Sequence, residues 1–356
     1  MWGVDGMKAA VYRGPDDMRV EEVPRPEPGR GELLVRVEVC GVCVTDVKKV
    51  HKGLLPPPRI FGHEIAGTVV GLGPGVAGFR EGERVTLQHH VPCGGCFYCH
   101  EKLFAQCESY KRTGTTAGFA PAGGGYAEYV RVMDWVVAGG AIRVPDGVAP
   151  EQAALVEPVN TCLKAVRKAG ICRDESALVV GQGSIGLLLL QLARREGALV
   201  FGSDPLEDRR AISRSLGATA VFDSARDDVA RELRAATGGR GADVTLLAAL
   251  GGAALRQAID ATRPGGRILV FAATAPGEVA ELDLGALCVS EKEILTSYSS
   301  SPETQDEAAQ VVFGREIRVS ELISHRLPLA QAPRAFELAA QARPGVLKVV
   351  LDMRLP

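Results

Sequence analysis

The segment VVGQGSIG, residues 179–186, decides the fold of the second half of this chain. It contains the pattern G-x-G-x-x-G, which alone is a weak signal because 42 of the 356 residues are glycine. The context strengthens it, since the apolar run ALVVG (177–181) comes first and a helical pattern from about 184 to 196 follows. A strand, a glycine turn and a helix in this order predict a dinucleotide-binding βαβ unit.

The residues of the loop have separate roles in this prediction. Gly181 permits the tight turn, Gly183 lets the backbone approach a pyrophosphate, and Gly186 lets helix and strand pack closely. Ser184 and Ile185 begin the helix, whose free N–H groups would bind the phosphates.

An acidic residue closes the next predicted strand. Asp204 ends ALVFGSD (198–204), and its carboxylate would accept hydrogen bonds from the adenosine ribose. It would also repel a 2′-phosphate, which favours NAD over NADP. Arg209 lies five residues further on and keeps NADP as the alternative. A mere glycine turn followed by a surface aspartate explains this context less well.

The hydrophobic pattern divides the chain into two parts. Residues 7–135 contain short strand-like runs separated by Pro and Gly, which predict an irregular, barrel-like β domain. After a helical pattern at 149–170, strand-like and helical runs alternate from 176 onward, which predicts a parallel, doubly wound α/β sheet. The strand-like closing run VLKVVLDM (346–353) could rejoin the first domain.

Composition excludes several classes of protein. A chain of 356 residues exceeds the size of one hydrophobic core, and a net charge of −2 without a basic block argues against nucleic acid or a membrane surface as partner. The apolar run at 185–193 is too short for a membrane span, and the N-terminal residues lack a signal-peptide pattern. An odd number of cysteines, nine, fits a reducing compartment, so we expect a cytoplasmic protein.

Four of those cysteines lie in VPCGGCFYCHEKLFAQC (91–107), with the spacing C-x2-C-x2-C-x7-C. They are Cys93, Cys96, Cys99 and Cys107. Four thiolates satisfy a tetrahedral Zn²⁺ and leave no open position, which predicts a structural zinc site. An iron–sulfur cluster and two disulfides are the alternatives, but the bacterial cluster run has three residues before the fourth cysteine and then proline. The other cysteines at 40, 162, 172 and 288 are expected to be buried packing residues.

Nearly the whole chain resembles the zinc-containing medium-chain alcohol/polyol dehydrogenase superfamily, in its sorbitol/threonine dehydrogenase-like branch. The resemblance rests on the β-rich start, the four-cysteine lobe and the glycine loop. It implies a GroES-like catalytic domain at 1–156 with a zinc lobe at about 91–110. A Rossmann NAD-binding domain at 157–298 would follow, and a return segment at 299–356 would complete the first domain.

The resemblance also implies a second, catalytic zinc ion. CGVCVTD (40–46) matches the motif whose thiolate is Cys43, and FGHEIAGTVVGLGPGV (61–76) matches the one with His63 as ligand and Glu64 beside it. LVEPVNTCLKA matches the third, with Glu157. Singly these could be a core cysteine, a strand histidine and a first-turn helix acid. Together they leave a position open for substrate, and the order in which Glu64 and Glu157 bind the ion stays open.

The same motif implies residues for proton transfer. Asp46 matches the acid that holds the imidazole ligand, and Thr45 matches the hydroxyl that touches the substrate oxygen. The family often has histidine two residues after this aspartate, whereas this chain has Lys48, a poor relay at neutral pH. We expect His51, which would share a helix face with Lys48, to end the relay.

The implied activity is reversible, NAD-linked oxidation of a secondary alcohol or polyol. Hydride would pass to the nicotinamide from a zinc-bound alkoxide. The resemblance also implies a homodimer or homotetramer that binds a small-molecule substrate. The alternatives are a zinc-free reductase of the same superfamily, which lacks the ligand set, and a catalytically altered or NAD-sensing zinc protein.

Overall fold

The computed structural model describes residues 2–89, 91–113, 123–249, 251–271 and 279–356, and of residues 2–5 and 111–113 the backbone alone. The chain forms two compact units. The first comprises Met1–Asn160, Ser299–Ala342 and Val346–Pro356, and the second Thr161–Tyr298 and Arg343–Gly345.

The strands follow one another along the chain in this order: β1 (Trp2–Gly14), β2 (Asp17–Pro26), β3 (Leu33–Gly41), β4 (Arg59–Ile60), β5 (Glu64–Leu72), β6 (Arg84–Leu87), β7 (Tyr129–Val132), β8 (Ala141–Arg143), β9 (Ser176–Val180), β10 (Leu199–Asp204), β11 (Ala220–Asp223), β12 (Ala242–Leu247), β13 (Thr262–Val270), β14 (Glu293–Thr296), β15 (Ile323–Leu327) and β16 (Lys348–Asp352).

The helices have these bounds: α1 (Val44–Lys52), α2 (Phe97–His100), α3 (Glu108–Thr113), α4 (Asp134–Gly139), α5 (Pro150–Ala154), α6 (Val156–Ala169), α7 (Ser184–Arg195), α8 (Glu207–Ser215), α9 (Val229–Ala236), α10 (Gly252–Ala261), α11 (Leu284–Val289), α12 (Gln305–Phe313) and α13 (Ala332–Ala340). Short 3₁₀ turns lie at Phe104–Gln106, Pro302–Thr304, Ser320–Leu322 and Leu329–Gln331.

The first unit is built on a largely antiparallel sheet. Its strand order is β15-β16-β3-β5-β6-β8, β7 also pairs with β3, and a smaller sheet has the order β2-β1-β4. The closing strand β16 lies between β15, to which it is parallel, and β3, to which it is antiparallel. The last strand of the chain therefore occupies an interior place in the sheet that begins at residue 33.

The second unit contains a six-stranded sheet in the order β11-β10-β9-β12-β13-β14, and every pair in it is parallel. All five residues of β9, SALVV, are buried, as expected for a strand whose two faces are both covered. The predicted parallel, doubly wound sheet is confirmed.

The helical pattern over 149–170 corresponds to two helices, because the structure divides it into α5 and α6 at Leu155. Pro158 lacks the N–H that would bond to the carbonyl of Ala154, so the helical ladder is interrupted there. The Leu155 N–H instead bonds to the Gln152 carbonyl at 3.0 Å, and the ladder resumes with Val159.

None of the helices in the part of the chain that the structure describes has the length and apolar character needed to cross a membrane.

Candidate functional site

Cys43 lies at the N-cap of α1, directly after β3. Its backbone is extended, and its Sγ accepts a hydrogen bond from the Thr45 N–H at 3.4 Å. The first turn of a helix carries unpaired N–H groups and a positive potential, which favour an anionic group at this place. The chain therefore presents a sulfur donor where negative charge is stabilised.

His63 and Glu64 lie at the start of β5, which pairs with β3 so that Glu64 faces Gly41. This register brings the Glu64 carboxylate and the His63 ring to Cys43, and one donor atom from each residue lies within 4.8 Å of the others. Thiolate, imidazole and carboxylate are the usual Zn²⁺ donors, so the residues fit the ion. We refer to Cys43, His63 and Glu64 as the three-donor group.

Asp46 lies fully buried beneath His63, with its Oδ2 3.2 Å from the His63 Nδ1. Burial alone would lower the pKa of His63, but the charges of Asp46 and Cys43 outweigh it and raise the pKa well above its usual value. This contact orients the ring so that Nε2 is available to a metal.

The Asp46 carboxylate has a second partner. The buried Tyr126 hydroxyl lies 3.1 Å from Asp46 Oδ2 and 3.2 Å from the Gly41 carbonyl, and it accepts the Cys43 N–H at 3.3 Å. Burial and the Asp46 charge raise the pKa of Tyr126, so its hydroxyl keeps its proton.

Glu64 forms a buried ion pair with Lys348 on β16, at 2.5 Å. The Lys348 Nζ also donates to the Val42 carbonyl at 3.2 Å. The pair needs a glycine at position 41, because a Cβ there would lie 1.9 Å from the Glu64 Oε2. The carboxylate thus has a permanent cation beside it.

Glu157 is buried on α6 but does not belong to the three-donor group at the 4.8 Å limit. Its Oε1 lies 3.8 Å from the Nδ1 of His89, whose ring centroid is 4.8 Å from that of His63. Burial raises the pKa of Glu157 to about 7, opposed by the positive His63. Glu157 therefore lies near the three-donor group, but outside the 4.8 Å limit that joins its members.

The predicted proton-relay residues share helix α1 but differ in their surroundings. Thr45 is exposed in its first turn. His51 lies in its last turn, where its Nδ1 bonds to the Asp16 carboxylate and the ring remains half exposed. Lys48 precedes His51 by three residues, so the two share one face of the helix.

The four cysteines of residues 91–107 meet in a lobe built from α2, a 3₁₀ turn and the start of α3. The four Sγ atoms all lie within 4.8 Å of one another, and those of Cys96 and Cys99 are 3.6 Å apart. The Gly95 N–H lowers the pKa of Cys93, which favours the thiolate that binds metal. The arrangement matches a closed, four-thiolate zinc site.

All nine cysteines lie in described residues and all are free thiols, which excludes the disulfide alternative for the lobe. The expectation for the remaining cysteines is only half right. Cys40 and Cys162 are buried, whereas Cys172 and Cys288 are exposed. Cys172 follows the end of α6, and Cys288 lies on α11, which buries none of its residues.

In the second unit, the glycine loop joins β9 to α7. Gly181 has φ +90°, and a Cβ on Gly186 would lie 1.8 Å from the Gly181 carbonyl oxygen, so both positions require glycine. Gly183 is the N-cap of α7 and offers no side-chain cap, which leaves the N–H groups at Ser184 and Ile185 open toward a ligand.

Asp204 ends β10 beside this loop and is buried. Its Oδ2 accepts the Gln182 N–H at 2.7 Å and its Oδ1 accepts the Leu206 N–H at 2.9 Å. The Arg209 Nη1 lies 3.8 Å from Asp204 Oδ2. The predicted acid and the predicted cation are therefore neighbours at the glycine loop.

Three residues around the three-donor group were not predicted from the sequence. Lys348, Tyr126 and His89 lie outside the motifs that pointed to the site. His89 is the next-to-last residue of the strand-like run RVTLQHH (84–90), and its place four residues before the first lobe cysteine was the available sequence signal. Lys348 appeared only as one residue of the closing strand.

Comparison with known proteins places these sites in context. Residues 29–145 match the family model of the alcohol dehydrogenase GroES-like domain, and residues 184–313 match that of the zinc-binding dehydrogenases. The chain is 31% identical over 344 residues to L-threonine 3-dehydrogenase of Pyrococcus abyssi (strain GE5 / Orsay), covering 94% of each chain.

Two further similarities cover almost the full length. Sorbitol dehydrogenase of Bacillus subtilis (strain 168) is 27% identical, with 97% of each chain covered. A crystal structure of a Sinorhizobium meliloti 1021 protein bound to NADP, provisionally designated a zinc-binding dehydrogenase, superposes with a TM-score of 0.86. It is 31% identical and covers 98% of this chain and 99% of that one.

Proposed function

Because this chain belongs to the zinc-binding alcohol dehydrogenase family, we propose that it oxidises a secondary alcohol or polyol to the ketone, reversibly, with NAD as hydride acceptor. Membership confirms the predicted GroES-like and Rossmann domains. It also identifies the protein as an oxidoreductase of the zinc-dependent type that binds NAD or NADP and acts on small molecules.

The observation that carries the proposal is the three-donor group. Cys43, His63 and Glu64 would hold a catalytic zinc ion, and we propose that Glu157, which lies 3.8 Å from His89, exchanges with Glu64 after a side-chain movement. When bound, the ion would act as a Lewis acid that makes the substrate hydroxyl more acidic. With the four-cysteine site, we propose two zinc ions per chain.

The proposed proton path uses side chains of α1. Thr45 lies at the helix start beside Cys43, where its hydroxyl would accept the proton of the substrate alcohol while passing its own proton onward. His51 would receive the proton and release it to solvent, since its ring is half exposed. Asp16 holds the His51 ring through a bond to its Nδ1.

The cofactor preference is proposed from Asp204. Its two carboxylate oxygens each accept a backbone N–H, which fixes the side chain, and lone pairs remain for the ribose hydroxyls. A fixed buried carboxylate disfavours a 2′-phosphate, so NAD is the proposed cofactor. Arg209 is near enough to offset part of that repulsion, which makes weaker use of NADP the expected secondary behaviour.

The substrate class is proposed from the polar surroundings of the three-donor group. His89 and Glu157 are buried there and could bond to a second hydroxyl or amino group of the substrate. A site that presents buried polar groups disfavours a substrate that lacks the matching hydroxyl. This favours polyols and amino alcohols over simple alcohols, and the named activities of two relatives, on threonine and sorbitol, support that choice.

The NAD-sensing alternative is not favoured, because the relatives are named enzymes and the three-donor group fits a metal. A cytoplasmic location and a homodimer or homotetramer remain proposals. The nine free thiols support the first, because they suit a reducing compartment.

The test is a screen of secondary alcohols, polyols and amino alcohols at pH 8, following NADH or NADPH absorbance, with zinc counted on the same sample. We expect turnover of a polyol or amino alcohol, a preference for NAD, and two zinc ions per chain. A single zinc ion, or no turnover by protein that carries two, would contradict the proposal.

A further inference from the structure

Tyr126 lies where three separate parts of the first unit meet. Its side chain is fully buried, and its hydroxyl is within hydrogen-bond distance of Asp46 Oδ2 (3.1 Å), the Gly41 carbonyl (3.2 Å) and the Cys43 N–H (3.3 Å). A phenol in such a place is unusual unless its hydroxyl is paired, because burying an unpaired hydroxyl is costly. The hydroxyl therefore has a bonding role here.

The count of donors and acceptors defines that role. The hydroxyl accepts the Cys43 N–H and has one proton, which it directs at Asp46 or shares with Gly41. Among the described residues, the Oδ1 of Asp46 has no hydrogen-bond partner. Asp46 Oδ2 thus lies within hydrogen-bond distance of the Tyr126 hydroxyl and 3.2 Å from His63 Nδ1, and removal of the phenol hydroxyl would leave the ion-pair contact with His63.

The backbone of Tyr126 is tied to the segment that leads into His63. The Tyr126 N–H donates to the Phe61 carbonyl at 2.9 Å, and the Gly125 N–H donates to the Gly62 carbonyl at 2.9 Å. The ring packs edge-on against Phe336, with centroids 5.3 Å apart. Position 126 is therefore fixed on both sides, and its hydroxyl is held at one point.

We propose that Tyr126 is a positioning residue for the three-donor group. Its hydroxyl fixes the backbone at Cys43 and, through Asp46, the ring of His63, so one side chain orients two of the three donors. The inference rests on the proposed catalytic zinc site and adds to it a residue that does not touch the metal. Groups that orient metal ligands in this way typically change metal affinity or activity about 10- to 100-fold when they are removed.

The test is Tyr126→Phe, which removes the hydroxyl and keeps the ring in the core. Zinc release to a coloured chelator is followed in wild type and variant, with the four-cysteine site of the same chain as internal reference. We expect release from the three-donor group about 10-fold faster in the variant and release from the four-cysteine site unchanged. The cobalt-substituted protein should also show a shifted d–d absorption band.

Tyr12→Phe is the matched control, because Tyr12 is another buried tyrosine of the same core and packs on Phe61. We expect it to leave both release rates and the cobalt spectrum unchanged. In a double-mutant cycle with Asp46→Asn, the effect of Tyr126→Phe should become smaller, because the part of it that acts through that carboxylate is weakened while the bond to the Cys43 N–H remains.

Two results would overturn the inference. One is a Tyr126→Phe protein that binds two zinc ions and releases both at the wild-type rates. The other is full additivity with Asp46→Asn. A wild-type protein that binds only the four-cysteine zinc would instead contradict the proposed function itself, and the zinc count separates the two cases.

Discussion

Lys348 and Glu64 are separated by 284 residues in sequence and form a buried ion pair at 2.5 Å beside the three-donor group. Their side chains are 7% and 2% exposed. Burial would lower the pKa of Lys348, but the Glu64 charge outweighs it and raises that pKa. The ammonium group thus balances the charge of the buried Glu64 carboxylate.

Replacing Lys348 by Met should make folding depend on zinc. The variant leaves Glu64 buried without a countercharge, which typically costs about 3–5 kcal/mol. Zinc should restore part of this loss, because it supplies a new positive partner for the carboxylate. Urea unfolding in EDTA and in added zinc measures the free energy of unfolding of variant and wild type in each medium. Lys164→Met is the control, and an equal loss in both media would contradict the prediction.

Replacing His89 by Phe should shift the substrate preference. Without the imidazole, a second hydroxyl on the substrate loses its partner, so kcat/KM for polyols should fall about 10-fold or more relative to that for simple secondary alcohols. The measurement is the ratio of kcat/KM for a polyol to kcat/KM for a simple secondary alcohol. A general loss of activity lowers both values and cancels in this ratio. His100→Phe, on the exposed surface of α2, should leave the ratio unchanged.

Replacing His51 by Gln should slow alcohol oxidation and change its pH profile. If His51 releases the proton to solvent, the oxidation rate of the variant should fall about 10-fold or more at neutral pH. The rate should approach that of the wild type at high pH, where hydroxide accepts the proton instead. Lys48→Met is the matched variant on the same face of α1 and should keep the wild-type profile. An unchanged rate and profile in His51→Gln would remove this residue from the proton path.

Replacing Cys107 by Ser should remove one zinc ion and destabilise the lobe. Cys107 is fully buried, and its Sγ accepts the Cys93 N–H at 3.3 Å, so it holds both ends of the lobe together. We expect the zinc content to fall from two ions to one and the melting temperature to fall with it. Cys172→Ser, at an exposed thiol, should change neither.

Lys164 should make the stability of the second unit depend on pH. Burial, and then Lys168, lower its pKa from 10.5 to about 8, while its ammonium donates to the Tyr298 carbonyl at 2.8 Å. Between pH 8 and 10.5 the unfolded chain therefore binds more protons at this site than the folded one, so stability rises with pH in that window. Melting temperatures of the wild type and of Lys164→Met are measured across this pH window. The contribution of Lys164 should appear as a difference between the two proteins that grows in favour of the wild type as the pH rises.

Local sequence patterns were enough for much of the fold and for part of the site. The glycine loop and the closing aspartate of β10 lie within one βαβ unit, so their spacing along the chain reflects their arrangement in space. The donors Cys43 and His63 were recognisable from motifs of a few residues. The register of β3 against β5, which the motifs do not contain, is what brings the two motifs together.

The residues that support the donors could not be predicted in the same way. Tyr126 reaches Cys43 across 83 residues, and no local periodicity relates those positions. Lys348 sits in the apolar strand β16, where a charged residue stands out only once its partner Glu64 is known. The divided helix at Leu155 shows a similar limit, because Pro158 interrupts the backbone bonding without interrupting the apolar pattern.

The place of β16 in the sheet sets the order in which this protein can become active during synthesis. Residues 161–298 of the second unit leave the ribosome before the last strand of the first unit does. The nascent chain can thus form its parallel sheet while the first unit still has a gap between β15 and β3. That gap closes only when residues 348–352 are present, which also supply the lysine that pairs with Glu64, so a chain that stops at residue 346 would keep its parallel sheet and lack the Lys348–Glu64 ion pair.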